Sequence, residues 1–147
     1  MGIYKVSISA YKRCYDHGEI DQEDIDDVYY VEADSSIEAL MVGEEIHVRH
    51  NSSSYICDSE ATEITKDEIP SRVRFYTKKD ILISKIEKLE YKISSDQMIV
   101  NNIKSAVNLN KDTVIQRIKF LSDNIKELQL ELEKAKQELK NLEESNQ

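Results

Sequence analysis

The chain has no tryptophan, one proline, three glycines and two cysteines in 147 residues, and each scarcity removes a class of explanation. Cys14 and Cys57 are too few for the disulfide framework of a small secreted domain, so both are expected as thiols in a reducing compartment. Three glycines leave little material for tight phosphate-binding loops, and neither a Gly-rich phosphate loop nor a glycine-flanked nucleophilic serine occurs. Catalysis has little to stand on, so no enzyme is expected. No apolar run approaches the roughly 18 residues of a membrane helix. The opening MGIYKVSISAYKRC alternates as a strand does and lacks the apolar block and cleavage site of a signal peptide. Gly2 resembles a myristoylation start, but Ile3 to Ser7 continue directly into that strand. The expectation is a cytoplasmic protein without membrane association.

Positive charge is scarce in one half only. Net charge is −9; residues 1–76 hold 17 acidic against 7 basic side chains, giving −10, and residues 77–147 hold 12 against 13, giving +1. No Lys or Arg lies between Arg13 and Arg49, a span that carries 12 acidic residues. Binding to a phosphate backbone needs clustered Lys and Arg, so this half is expected to repel nucleic acid. The densest stretch, Asp16 to Asp27, lacks the alternating acids, central Gly and terminal Glu of a calcium-binding EF-hand loop. It reads as a solvated acidic loop that contributes little to stability. A further possibility is mimicry, in which carboxylates imitate phosphates in a partner's basic groove.

Hydropathy patterning divides the chain into an acidic α+β domain, 1–76, and a helical coiled-coil stem, 77–147. In residues 3–11, Tyr4, Val6, Ile8 and Ala10 share one face, the half-buried strand pattern. Residues 28–33 repeat it with Tyr29, Val31 and Ala33. Ser35 can cap a helix, accepting from the backbone at Glu38 while the Glu38 carboxylate reaches back. Ile37, Leu40, Met41, Glu44, His47 and Val48 continue at helical spacing and are taken as its apolar face. Tyr55 to Cys57, joined by Ala61 to Thr65, and Arg72 to Tyr76 after Pro70 add strand signal. The order predicts a small, mostly antiparallel ββαββ sheet with the helix on one face.

The helical half is a mirror. Leu82, Ile86, Leu89, Ile93, Asp96, Val100, Ile103 and Val107 step by four and three, and so do Val114, Ile118, Leu121, Ile125, Leu128, Leu132, Ala135 and Leu139. Folding back near 108–111, with Asn110 as cap, pairs Val107 with Val114 and so on to Leu82 with Leu139. Only Asp96, opposite Ile125, breaks the match. An antiparallel α-helical hairpin is therefore expected. A continuous rod would require a stutter at Asn110 to Val114. Met98, Ile99, Ile115 and Phe120 add apolar surface near the tip, which predicts self-association as a homodimer or higher oligomer.

Cys14 with His17, and His47 with His50, could furnish zinc ligands. Imidazoles also sit comfortably against a helix C-terminal dipole, and cysteines in a core, so no metal and no cofactor is expected. Seven of the eight tyrosines precede residue 77. Tyr side chains favour interfaces, and Tyr11, Tyr15 and Tyr30 are the candidates for a contact surface, with Asp21, Glu23, Asp24, Asp26 and Asp27 as partner-binding acids.

The segment from Val28 to Leu40, VYYVEADSSIEAL, resembles a strand-to-helix element of small phage and mobile-element accessory proteins. That resemblance covers about 13 residues and implies a compact, non-enzymatic, host-directed module. It assigns no functional residue. Together with the acidic surface it makes the leading expectation a phage-encoded inhibitor or adaptor that engages a host or defence protein with a basic surface. The competing expectations are a ligand- or metal-sequestering oligomer and a coiled-coil assembly protein.

Overall fold

A computed structural model describes residues 1–16, 18–106 and 111–146, without the side chain of Asp16. The chain divides into two compact units, Met1–Lys78 and Lys79–Gln147. The first holds strands β1 (Gly2–Asp16) and β2 (Glu19–Ala33), helix α1 (Ser36–His50), strand β3 (Ser54–Ile64), a single 3₁₀ turn (Lys66–Glu68) and strand β4 (Phe75–Tyr76). The long helices α2 (Lys78–Ser105) and α3 (Lys111–Ser145) follow. The class is α+β.

The four strands lie in the order β3-β1-β2-β4. β1 pairs antiparallel with both neighbours, whereas β4 joins β2 in parallel through two residues, so the sheet is mixed. The core follows the parity of the two long strands. Tyr4, Val6, Ile8 and Ala10 of β1 and Tyr29, Val31 and Ala33 of β2 meet Ala39 and Ile46 of α1. Ser35 caps α1 as expected, its hydroxyl accepting from Glu38 N at 3.2 Å while the Glu38 carboxylate accepts from Asp34 N.

Two expectations are corrected. The acidic stretch is no loop: Glu19 to Asp27 are the first nine residues of β2, paired residue for residue with β1. Asp and Glu are poor strand formers, but the ladder bonds come from the backbone, and a partner strand as long as β1 overrides propensity. Gly18, at φ 83°, takes the left-handed conformation that the tight reversal requires. The helix face is rotated as well. α1 buries Ala39, Gly43, Ile46 and His47, whereas Ile37, Met41 and Val48 are exposed. Small residues face the sheet because the helix sits close to it: a Cβ on Gly43 would lie 2.5 Å from Val6 Cγ1.

In the second unit the non-exposed positions trace the stripes read from the heptads. Leu89 clusters with Leu128, Leu132 and Ala135, and Ile86 and Ile93 pack against them. Lys136 pairs with Glu90 at 3.1 Å and Lys79 with Glu143 at 2.8 Å. Asp96, the polar break in the stripe, accepts from Asn124 Nδ2 at 2.9 Å. The expected turn falls largely on residues 107–110, which lie outside the described residues. No helix among the described residues is long and apolar enough to cross a membrane.

Candidate functional site

Strand register decides where each acidic side chain goes. β1 and β2 pair from Gly2↔Ala33 to Asp16↔Glu19, but β3 follows β1 only as far as Lys12, and β4 follows β2 only at Tyr30 and Val31. Beyond Lys12 and Glu23 the sheet is thus a two-stranded ribbon. Because successive side chains alternate, Asp21, Glu23 and Asp27 lie on the face that carries α1, and Asp24 and Asp26 on the other. On that open face Tyr15 stands opposite Ile20, and both are largely exposed, at 79% and 64%. Tyr11 stacks on Tyr55 with ring centroids 5.3 Å apart, and the Arg13 guanidinium lies 5.8 Å from the Tyr55 centroid.

Tyr30 leaves the set of contact residues. It shares the open face by parity, yet only 8% of it is exposed, and β4 runs alongside it through the Tyr30↔Phe75 pair. A side chain already buried in the chain offers a partner little surface.

Asp27 also differs from its neighbours. Its Oδ2 accepts from His47 Nδ1 at 2.8 Å, from the Tyr29 hydroxyl at 3.1 Å and from Asn51 Nδ2 at 3.0 Å. His47 is fully buried, and its Nε2 lies 2.7 Å from Ser54 Oγ. Burial first, and then the adjacent Asp27 charge, push the Tyr29 phenol well above the ordinary tyrosine range. The acid expected to be a partner-binding carboxylate on a solvated loop instead ties β2 to α1 and, through His47, to β3.

The sequence Asp27–His47–Ser54 repeats the atom order of an acyl-transfer triad, but the surroundings do not supply the chemistry. The Ser54 hydroxyl donates to Asn51 O at 2.9 Å, and the Ser54 backbone N–H is spent on the same carbonyl at 3.0 Å. A leaving group cannot reach a ring with no exposed surface. The C-terminal end of α1 presents carbonyls where a developing oxyanion would need donors. The cluster is a clamp across three elements. Both partners were visible in sequence, Asp27 as one acid among many and His47 as a metal or dipole candidate. The residues are 20 apart, and no spacing rule joins them.

The remaining metal candidates do not converge. Cys14 Sγ approaches Glu23 Oε2 at 3.8 Å, the His50 ring lies 6.2 Å from that of Tyr29, and His17 is outside the described residues. Among the described residues no group of three or more His, Cys, Asp or Glu is placed to hold a metal ion. In the second unit Met98, Ile99, Ile115 and Phe120 are all exposed, Phe120 at 72%.

Comparison with known proteins yields no matching family model, no matching curated protein and no matching solved structure.

Proposed function

We propose that this chain is a non-enzymatic protein-binding module whose acidic β1–β2 ribbon engages a partner protein with a basic surface. The observation that carries this reading is the composition of β2 from Glu19 to Asp27, ahead of its pairing with β4. Carboxylates stand on both faces, while Tyr15 and Ile20 are exposed side by side. Aromatic and aliphatic anchors supply contact area, and the surrounding charge speeds encounter and selects the sign of the partner.

In this reading α2 and α3 form an antiparallel coiled-coil hairpin that self-associates through Met98, Ile99, Ile115 and Phe120. The hairpin is supported by the contacts of Glu90 with Lys136 and Asp96 with Asn124, in which the residue number rises on one helix as it falls on the other. Cysteines introduced at Val100 and Leu121 should cross-link within one chain; purely intermolecular products would remove the hairpin. A mass by light scattering that stays monomeric at all concentrations would remove the self-association.

The binding reading is tested with a variant carrying Asn or Gln at Asp21, Glu23, Asp24 and Asp26, leaving Asp27 in place. Quantitative capture from a bacterial lysate should enrich basic proteins on the parent by about tenfold over the variant at low salt, with the difference shrinking as salt rises. Equal capture by both proteins at every salt concentration would show that the acids are a solubility surface only.

A further inference from the structure

A strand presents hydrogen-bonding groups on two edges, and β2 uses one of them along its whole length for β1. Its other edge pairs with β4 only at Tyr30 and Val31. The Gln22 N–H turns to Asp21 Oδ1 at 2.9 Å, which marks Gln22 as an outward position of the ladder. Alternation by two then puts the amides of Ile20, Asp24, Asp26 and Val28 on the same open edge, in step with Tyr30, where β4 does attach. The result is a stretch of nine residues, roughly 30 Å at strand rise, with regular backbone geometry and no ladder partner on this edge among the described residues.

An edge of that length is a template for another strand, and its side chains decide which one. A second copy of β2 would set carboxylate against carboxylate on both faces, and β3, with Asp58, Glu60 and Glu63, would do the same. The charge therefore excludes self-pairing and favours a strand of opposite sign. We propose that the β2 edge from Ile20 to Val28 binds an extended Lys- and Arg-rich segment of another protein by β-strand addition. The inference rests on the protein-binding reading above and specifies its mode. Backbone ladder bonds align the incoming segment, and its cationic side chains meet Asp24 and Asp26 on one face and Asp21 and Glu23 on the other. Both faces being acidic, the segment needs basic residues at positions of both parities. The slot ends where β4 attaches, at the Tyr30↔Phe75 pair.

The test uses the full-length protein and a short peptide rich in Lys, Val and Thr. Its control is the same peptide N-methylated at alternate residues, which keeps every charge but cannot extend a ladder. Amide exchange measured by NMR should slow by about tenfold or more at Ile20, Asp24, Asp26 and Val28 with the parent peptide, and the methylated peptide should bind at least about tenfold more weakly. If both peptides bind alike and no edge amide is protected, the edge inference is overturned while acidic-surface recognition stands. If neither peptide binds, and the four-acid variant captures the same proteins as the parent, both are overturned, and the carboxylates only guard the edge against aggregation.

Discussion

Replacing Gly43 by Ala sets two effects of known size against each other. In a helix interior alanine is favoured over glycine by about 1 kcal/mol, so on propensity alone the variant should be more stable. The new Cβ, however, would meet Val6 at three atoms, 2.5 Å from Cγ1, 2.9 Å from Cβ and 3.2 Å from Cγ2. Val6 cannot yield. It is fully buried, its branched side chain is stiff about χ1, and its backbone is held between Tyr29 of β2 and Ala61 of β3. To restore ordinary carbon contact the helix must back away by roughly 1 Å. His47, four residues along the same face, would be drawn from bonds that now measure 2.8 and 2.7 Å. Overpacking costs about 1–3 kcal/mol, and a weakened hydrogen bond adds about 1. The steric loss outweighs the propensity gain, and Gly43→Ala should destabilise the first unit by about 2 kcal/mol. Urea unfolding followed by tyrosine fluorescence reads that unit, since only Tyr91 lies outside it. Val6→Ala makes room for the new methyl, so the double variant should be more stable than the sum of the single effects by more than about 1 kcal/mol. A Gly43→Ala protein that gains stability, or single effects that add within about 0.5 kcal/mol, would refute the close packing of α1 on Val6.

Two further expectations concern the clamp. Asp27→Ala strands donors from His47, Tyr29 and Asn51 and should cost about 2–4 kcal/mol, whereas Asp24→Ala, on the open face, should stay within about 0.5 kcal/mol; equal urea midpoints would sink the assignment. Alkaline stability should depend on Tyr29. Because its folded pKa is raised, the neutral phenol is the form the fold prefers, a contribution fully present below the ordinary tyrosine value of about 10 and lost as pH rises toward the folded value. Urea midpoints should therefore fall above about pH 10, and Tyr29→Phe should flatten that slope; an unchanged slope would assign it to other tyrosines.

Apolar parity made β1 and the end of β2 legible, and the Ser35 cap fixed the start of α1. The acidic half of β2 was hidden because its composition argues for a loop, and only the length of β1 supplies the missing ladder. The face of α1 was misjudged for a steric reason: large apolar residues at 37, 41 and 48 outweigh Ala39 and Gly43 in any hydropathy pattern, although the small pair is what lets the helix approach Val6. Asp96 was visible as a break in the stripe, but its partner Asn124 was not, because hydrogen bonding across two helices leaves no spacing signal. The clamp was half legible. Its members belong to three elements, and no sequence pattern joins Ser54 to His47 or Asp27.

The clamp also answers a difficulty the acidic strand creates. Register is strongly specified where alternating hydrophobic residues have one face to bury, and from Glu19 to Val28 β2 offers only Ile20, Ile25 and Val28. Ile25 points toward α1 while the other two point away, so apolar burial alone pulls the strand in both directions. Slipping the pairing by one residue toward Val28 would move Asp27 to the open face and bring Val28 beneath α1 in its place. His47 would then lose its carboxylate in a fully buried position, and Asn51 would lose the same acceptor. Leaving a buried donor unmatched costs about 1–3 kcal/mol, comparable to burying one aliphatic side chain, so this polar cluster adds, at the acidic end of the strand, to the register that Tyr29, Val31 and Ala33 set at the other. By the same geometry the other acids are released from structural duty. Asp21, Glu23, Asp24 and Asp26 keep both their charge and the regular spacing that Asp27 fixes, which is the condition a pre-formed edge must meet before another strand can add to it.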